Sequence, residues 1–553
     1  MPAIVGIDLG TTFSCVATIG PNGEPEAIAN FEGANTTPSV VAYSDDEIYV
    51  GETAVQSATP TTNIVHDSKR FIGRQFDDFS VQSDMKLWPF VVVSNEGKPL
   101  VKLTQNGEEK KLDAEEVSAE VLKMMKMIAE KYLNEEVTKA VVTVPANFDQ
   151  RQRHATVEAA RLAGIEVIRL VNEPTAAAIA YGIHNEGTNT VLVYDLGGGT
   201  FDVSIVKCEG NKKLHTIATA GHKHLGGQDF DIIIRDHVLT NFHDFPEDKP
   251  RMMKRLLGMC TKAKIGLSSH ETATISIDSG DDDVWNMKLT RNKFEELCGT
   301  ILRGTLDIVD EALRQAKMKE SDIDIVILAG GSTRIAMVQN LLKEKFGDEK
   351  IWNRHNPDEV VAKGAALVAK ALTSPSSDSL QLVFNDIVPL SIGQNTDGDF
   401  MYFAIKRGTK YPCKVLNIEV ENGNSASIVI QYDGCPHKDA NIEDIVAEAK
   451  RNKEEDDEFE MLIKTSYEFN RQIHQIKHSA KDDKSMSNDD KEKIFEIFNE
   501  YLEWTEKILE SMELYETKMK EFANKIRKYY PSVDETIALN KLTRDFQRTN
   551  ISD

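Results

Sequence analysis

Short, uniformly apolar runs recur along the first two-thirds of the chain, and the stretches between them carry apolar positions on a helical period. Ala140 to Val144 reads as a buried strand, Arg151 to Ala163 as a helix, Glu166 to Val171 as a strand, Ala176 to Tyr181 as a helix and Val191 to Asp195 as a strand. This alternation predicts a layered α/β architecture. Three apolar runs end in glycine-rich punctuation: Ile7-Asp8-Leu9-Gly10-Thr11-Thr12, Tyr194-Asp195-Leu196-Gly197-Gly198-Gly199-Thr200 and Leu328-Ala329-Gly330-Gly331-Ser332-Thr333-Arg334. The first two are followed by a second apolar run, Ser14 to Ile19 and Val203 to Val206, which predicts strand, glycine turn, strand. One such hairpin is weak evidence. Two of the same pattern predict a duplicated α/β lobe.

The residue types in these hairpins suit a nucleotide triphosphate. Glycine lacks Cβ, so successive backbone N–H groups can turn toward a phosphate. Thr11, Thr12 and Thr200 add hydroxyl donors, and the carboxylates of Asp8 and Asp195 can hold a hydrated Mg²⁺. ATP phosphates pinched between two halves are the expected ligand.

The pattern changes near residue 375. Thr373-Ser374-Pro375-Ser376-Ser377-Asp378-Ser379 has the composition of a linker, and the apolar Leu380-Gln381-Leu382-Val383-Phe384 after it is expected to dock. Short strand candidates follow, Phe400 to Ile405, Val415 to Val420 and Ala426 to Tyr432, as in a small antiparallel unit. Beyond Asp439 the period becomes helical: Ile442, Ile445, Val446 and Ala449 form one stripe, and Ile494, Ile497, Phe498 and Tyr501 another, the second opened by a capping box at Ser487-Asn488-Asp489-Asp490. The acidic run Glu454 to Glu458 is a solvated helix face, and Asp281-Asp282-Asp283 a surface turn rather than a metal site.

Composition narrows the classes. At 553 residues with 41% apolar content the chain can build several cores. A net charge of -24 argues against nucleic acid or an anionic membrane as partner, since neutralising phosphates needs clustered Lys and Arg. Six scattered cysteines, Cys15, Cys208, Cys260, Cys298, Cys413 and Cys435, include no Cys-x-x-Cys pair and suit reduced thiols in a cytoplasmic setting. No signal peptide or membrane span is expected. His222 and His224 lie two residues apart without a third ligand nearby, so a loop role beside Gly226-Gly227 outweighs zinc.

The segments Gly6 to Val16, Val171-Asn172-Glu173-Pro174-Thr175-Ala176-Ala177-Ala178, Asp195 to Ser204 and Val326 to Ile335 resemble the signatures of the heat-shock protein 70 chaperone family. The resemblance is dense to about residue 372 and partial beyond. It implies an actin-like ATPase domain over residues 1–377, a linker over 378–385, a truncated substrate-binding β-subdomain over 386–436 and a helical lid-like region over 437–553. It also implies ATP or ADP with Mg²⁺ as cofactors, K⁺ as a further candidate ion, and unfolded polypeptide as client.

By the same resemblance, Asp8, Glu173 and Asp195 would hold Mg²⁺ through water, with Glu173 at the end of its own strand. Lys69 would reach the γ-phosphate and position the attacking water, with Thr200 beside that water and Asp202 on the same hairpin. Gly10, Thr11, Thr12, Phe13, Gly197, Gly198 and Gly199 would cradle phosphates. Gly331, Ser332, Thr333, Arg334 and Asp358 would meet the adenosine, Arg334 offering a flat face to the base. A J-domain co-chaperone would contact Arg169, Asn172, Thr175 and Asp386, and a nucleotide exchange factor would complete the cycle.

The sequence departs from the family in three places. On the helix around Met259 to Ser269, Lys264 and Ser268 match the adenosine positions, whereas Thr261 stands where an acid is usual and Ile265 where an Arg is usual. Those two substitutions are expected to remove a charge pair, a ribose acceptor and one stacking plane, and so to lower ATP affinity while leaving the phosphate chemistry intact. In Leu382-Val383-Phe384-Asn385-Asp386 a polar Asn interrupts the apolar linker run. The peptide-binding sandwich begins at Asp386 to Gly393 but passes from Gly434 through Cys435-Pro436-His437 straight into helix, so its later strands are missing. The end at Thr549 to Asp553 carries no acidic motif for tetratricopeptide-repeat partners. The resulting expectation is an ATP-dependent chaperone with weakened client binding. A regulator acting as exchange factor or ribosome-associated partner is the alternative, and a sugar or acetate kinase on the same fold is disfavoured.

Overall fold

The computed structural model describes residues 3–373 except 184–187, 210–212, 223, 247–248 and 279–283. Beyond these it describes 383–387, 392–396, 400–405, 410–411, 414–415, 430–431, 488–505 and 512–529, with the single positions 473, 476 and 480. Residues 378–382 of the expected 378–385 linker, the turn at Asp281 to Asp283, the helix from Ile442 to Ala449, the acidic run from Glu454, Cys413 and Cys435 lie outside the described residues, whereas Val383 to Asn385 fall in a strand. The chain divides into two compact units, residues 1–297 with 308–445 and residues 298–307 with 446–553.

Two sheets organise the first unit. One runs in the order Glu166–Asn172, Val137–Val144, Ala3–Asp8, Phe13–Ile19, Pro25–Ala27. The other runs Ile351–Trp352, Ile325–Ala329, Asn189–Leu196, Phe201–Glu209, Lys213–His222, Val383–Ile387, Lys410–Tyr411. Pairing directions repeat between them. Ala3–Asp8 is parallel to Val137–Val144 and antiparallel to Phe13–Ile19, just as Asn189–Leu196 is parallel to Ile325–Ala329 and antiparallel to Phe201–Glu209. Register repeats as well: Asp8 stands opposite Cys15 in its hairpin, and Asp195 opposite Asp202 in the other. The duplication expected from the two glycine hairpins is present in order, direction and register.

Local chemistry sets the helices between the strands. Asp149 accepts from the Gln152 N–H while the Gln152 side chain accepts from the Asp149 N–H, a capping box that opens Gln150–Leu162. Pro174 sits in the first turn of Glu173–Ala180, where a missing N–H costs nothing. Glu173, expected at a strand end, is instead the first residue of this helix, directly after the strand that closes at Asn172. The helices Glu173–Ala180 and Val360–Thr373 share one apolar core with strands of both sheets, including Val141, Val171, Val191, Val193 and Ile327. Their crossing is tight. A Cβ on Gly364 would lie 1.9 Å from the Ala176 carbonyl oxygen, so only glycine permits this approach.

Val383–Ile387 adds to the second sheet in parallel with Lys213–His222, Val383 opposite Lys213 and Phe384 opposite Leu214, and Asp386 stands in register with Tyr411. Phe400–Ile405 is a strand as expected, paired with Ile392–Thr396. Of the two later strand candidates only Val415 and Ile430–Gln431 are among the described residues, and the two-residue strands Lys414–Val415 and Ile430–Gln431 pair with each other.

In the second unit, Asn488–Thr505 and Met512–Arg527 are helical. Ile494, Phe498 and Tyr501 are buried with Ile473, Met519, Phe522 and Ile526, and Ile497 packs partly against them. The stripe anticipated on this helix is the face that forms that core. Among the described residues, no helix is long and apolar enough to cross a membrane.

Candidate active site

Lys69, in a short helix of four residues, donates from Nζ to Glu173 Oε1 at 2.6 Å, and both side chains are buried. Asp8 ends its strand beside them and accepts from Thr143 Oγ1 at 3.1 Å. Burial, then the neighbouring Glu173 carboxylate, push the Asp8 carboxyl up to about 7, against the pull of Lys69 and the Thr143 hydroxyl. Asp195 is also pushed well above the carboxylate range, by burial and then by Glu173, Asp202 and Asp8. Burial opposes the charge on Lys69, but Glu173, Asp8 and Asp195 outweigh it and raise its pKa. Three carboxylates therefore converge on one ammonium. That surplus negative charge fits a divalent cation. Among the described residues, no group of three or more His, Cys, Asp or Glu side chains is placed to ligate a metal ion directly.

The glycine turns of the two hairpins approach too closely for any side chain. A Cβ on Gly198 would lie 1.9 Å from Thr12 Oγ1, and one on Gly199 would meet Arg70 Nη2 at 2.8 Å and Thr11 Cγ2 at 2.9 Å. Thr12 Oγ1 is buried without a hydrogen-bond partner, an orphan hydroxyl that a phosphate oxygen would satisfy. Gly197 N–H donates to Thr200 O at 3.1 Å, closing the turn that carries Thr200. Gly10 is equally constrained, its Cβ position being 2.0 Å from Phe13 O. Phe13, by contrast, points its ring outward at 47% exposure.

On the adenosine side, Ser332 Oγ donates to Gly197 O at 2.8 Å, and Thr333 is buried with its hydroxyl donating to Gly330 O. Arg334 Nη2 donates to Asp358 Oδ2 at 2.8 Å and to Asn356, which fixes its guanidinium plane. Gly331 accommodates the same carboxylate, since a Cβ there would lie 2.4 Å from Asp358 Oδ1. Lys264 is buried, donating to Gly227 O at 2.7 Å and pairing with Asp231 Oδ1 at 2.9 Å. Thr261 Oγ1 donates to Asp231 Oδ2 at 2.9 Å. This corrects one expectation: Thr261 does not cost Lys264 its charged partner, because Asp231, from the Gly227–Asn241 helix, supplies it. Ile265 is 60% exposed and Ser268 caps the helix end.

Asp202 is 3% exposed, and its Oδ1 accepts from Asn147 Nδ2 at 2.8 Å. A second set of contacts spans the two sheets' lobes. Gln228 Nε2 donates to Asp67 Oδ1 at 2.7 Å while Arg70 donates to Gln228 Oε1 at 3.1 Å and to His224 Nδ1 at 2.9 Å. Asn147, Asp67, Arg70, Gln228 and Asp231 were not singled out from sequence. Of the proposed co-chaperone contacts, Asn172 and Thr175 are each 1% exposed, and Asn172 Oδ1 accepts from Arg153 at 2.8 Å; Arg169 is half-buried.

Two duplicated α/β lobes with an aspartate hairpin in each, and a buried Lys–Glu pair beside Asp8, define the fold class of actin-like ATPase domains. A family profile described as Hsp70 protein matches residues 4–420. A heat shock protein of Pyricularia oryzae is 45% identical over 421 residues, covering 74% of this chain and 68% of that protein. The heat shock cognate 70 kDa protein 3 of Dictyostelium discoideum is 42% identical over 445 residues, covering 78% and 70%. A ribosome-associated molecular chaperone of Saccharomyces cerevisiae is 44% identical over 421 residues, covering 74% and 68%. The chain belongs to the Hsp70 family.

Proposed function

We propose that this chain is an ATP-dependent molecular chaperone that binds and hydrolyses ATP with Mg²⁺ in the cleft between its lobes. The observation that carries the reading is the buried Lys69–Glu173 pair set between Asp8 and Asp195. Magnesium, when bound, would neutralise phosphate charge and offset the repulsion among these carboxylates. Lys69, oriented by Glu173, would place its ammonium at the γ-phosphate and hold the attacking water, with the Thr200 hydroxyl next to it. The water oxygen would bond to phosphorus as the β–γ bridge breaks, the bridging oxygen leaving on ADP and the water's proton passing to the released phosphate. The glycine turns would bind the phosphates, and Arg334, held by Asp358, would cover the base.

Co-chaperone control is part of the same proposal. A J-domain at half-buried Arg169 would act on Asn172, which Arg153 holds and which immediately precedes Glu173. Thr175 packs behind it, Asp386 would report from the docked segment, and an exchange factor would reopen the cleft. Client binding is proposed to be weak because the sandwich is short in sequence. A cytoplasmic setting follows from the thiol pattern. The second reading is a ribosome-associated regulator that does not hold clients; the names of several relatives, ribosome-associated molecular chaperones, support its ribosome association and not the loss of client holding. ATP turnover with and without a J-domain protein, together with sedimentation on ribosomes, tests both. No turnover in either condition overturns the ATPase reading, and ribosome binding without peptide binding selects the second.

A further inference from the structure

We infer that Asn147 is a positioning residue for hydrolysis, holding the Asp202 carboxylate across the lobes; this rests on the ATPase reading above. Asp202 stands directly opposite Asp195 on its hairpin, so the two carboxylates belong to paired residues next to the glycine turn. An aspartate in that place can rotate its carboxylate about two side-chain torsions, and each orientation presents different charge to its neighbours. Here both sides are fixed. On one side Gly221 gives way, since a Cβ there would lie 2.2 Å from Asp202 Oδ1. On the other, Asn147 Nδ2 donates to that same oxygen at 2.8 Å. An amide supplies a donor without adding a second cation beside Lys69.

The loop that presents Asn147 is itself braced on the first lobe. Phe148 N–H donates to Pro145 O at 3.1 Å, closing a turn, and Arg153 donates from Nε to Phe148 O at 2.9 Å and from Nη2 to Ala146 O at 3.3 Å. The strand entering the loop carries Thr143, which holds Asp8, and Phe148 places its ring 5.9 Å from Lys69 Nζ. One short segment thus touches Asp8 in the first lobe, Lys69, and Asp202 in the second. Asn147 is the member that reaches the other lobe, so its bond ties the two lobes together beside the site.

The test is a double-mutant cycle on full-length protein with Asn147→Leu, which keeps the size but removes the donor, and Asp202→Ala. Asn147→Leu should slow single-turnover hydrolysis about tenfold, the scale of one hydrogen bond to a charged group, while ATP affinity by calorimetry stays within about twofold. In the Asp202→Ala background, Asn147→Leu should cost nothing further. Should Asn147→Leu fail to fold by circular dichroism, Asn147→Ala takes its place in the cycle. Losses that multiply, an unchanged rate, or a fall in affinity large enough to account for the rate would overturn the inference while leaving the ATPase reading intact. A parent protein that binds ATP and does not turn it over would overturn both.

Discussion

Lys69 Nζ and Glu173 Oε1 meet at 2.6 Å although 104 residues separate them, and both side chains are more than nine-tenths buried. A pair this far from water is held by mutual need: each charge is tolerable only beside the other. Lys69→Ala should therefore lower single-turnover hydrolysis by about a hundredfold or more, the usual scale for a contact made to transition-state charge. It should also destabilise the fold by about 3 kcal/mol, because Glu173 is left buried without a cation. Adding Glu173→Gln should recover stability in thermal melts and leave the rate low. A single-turnover rate that survives Lys69→Ala would remove the residue from the chemistry.

The adenosine side separates two substitutions that looked coupled in sequence. Ile265, at 60% exposure, leaves room for a longer side chain, so Ile265→Arg should add a stacking cation and tighten ATP binding by about 1 kcal/mol. Thr261→Glu should bring no gain, because Thr261 donates to Asp231, and a carboxylate in its place would face that acid directly. Calorimetric titration of the two single variants checks this; tighter binding in Thr261→Glu would contradict the role given to Asp231.

Nucleotide release should depend on Gln228. Its amide donates to Asp67 and accepts from Arg70, two residues whose neighbour Phe71 shares the first lobe's core with Val5 and Val144. Both bonds involve a charged partner, so losing them costs the closed state about 1 to 2 kcal/mol. Gln228→Ala should speed release of labelled ADP about tenfold in stopped-flow fluorescence. Unchanged release would mean that the contact does not hold the cleft.

Asp229 gives a pH signature. Burial, the largest influence, pushes its carboxyl up to about 6, against the pull of Arg70, the Gly226 N–H and His224 and with a further push from Asp84. The unfolded value is about 3.9, so between about pH 4 and pH 6 the native state keeps a proton that the unfolded chain loses, and stability falls as pH rises through that window. Asp229→Asn keeps an acceptor for the Gly226 N–H, now 2.8 Å from Asp229 Oδ2, and removes the titration. The variant should melt higher than the parent at about pH 7.5, with the gap closing toward about pH 4.5. A gap that stays constant with pH would show that Asp229 is not the group responsible.

The parts legible in sequence were those written in local pattern. Asp8 and Asp195 announced themselves because a strand, a glycine turn and a second strand are contiguous, and the apolar face of Asn488–Thr505 carries its own period. Asn147 and Asp231 were invisible for the opposite reason. Each makes its defining contact far along the chain, Asn147 with Asp202 and Asp231 with Lys264, and an Asn in a loop or an Asp on a helix surface has no periodic signature. Glu173 fell between the two. Its neighbour Pro174 reads equally as the end of a strand or the first turn of a helix, and only packing against Val360–Thr373 decides for the helix.

Client binding is expected to be weak. Among the described residues after the docked segment, Ile392–Thr396 pairs only with Phe400–Ile405, and Lys414–Val415 only with Ile430–Gln431. Two-stranded ladders are marginal in water and leave main-chain groups on open edges, and the short sandwich proposed above would supply no later strands to cover them. A peptide held there would have to order the strands as well as itself, which subtracts from any contact it gains. Apolar heptapeptides should therefore bind with a Kd of about 1 µM or weaker, about -8 kcal/mol at most. Fluorescence anisotropy with a labelled heptapeptide, in ADP and in ATP, measures this directly; nanomolar binding released by ATP would show that the short β-region forms a complete peptide site.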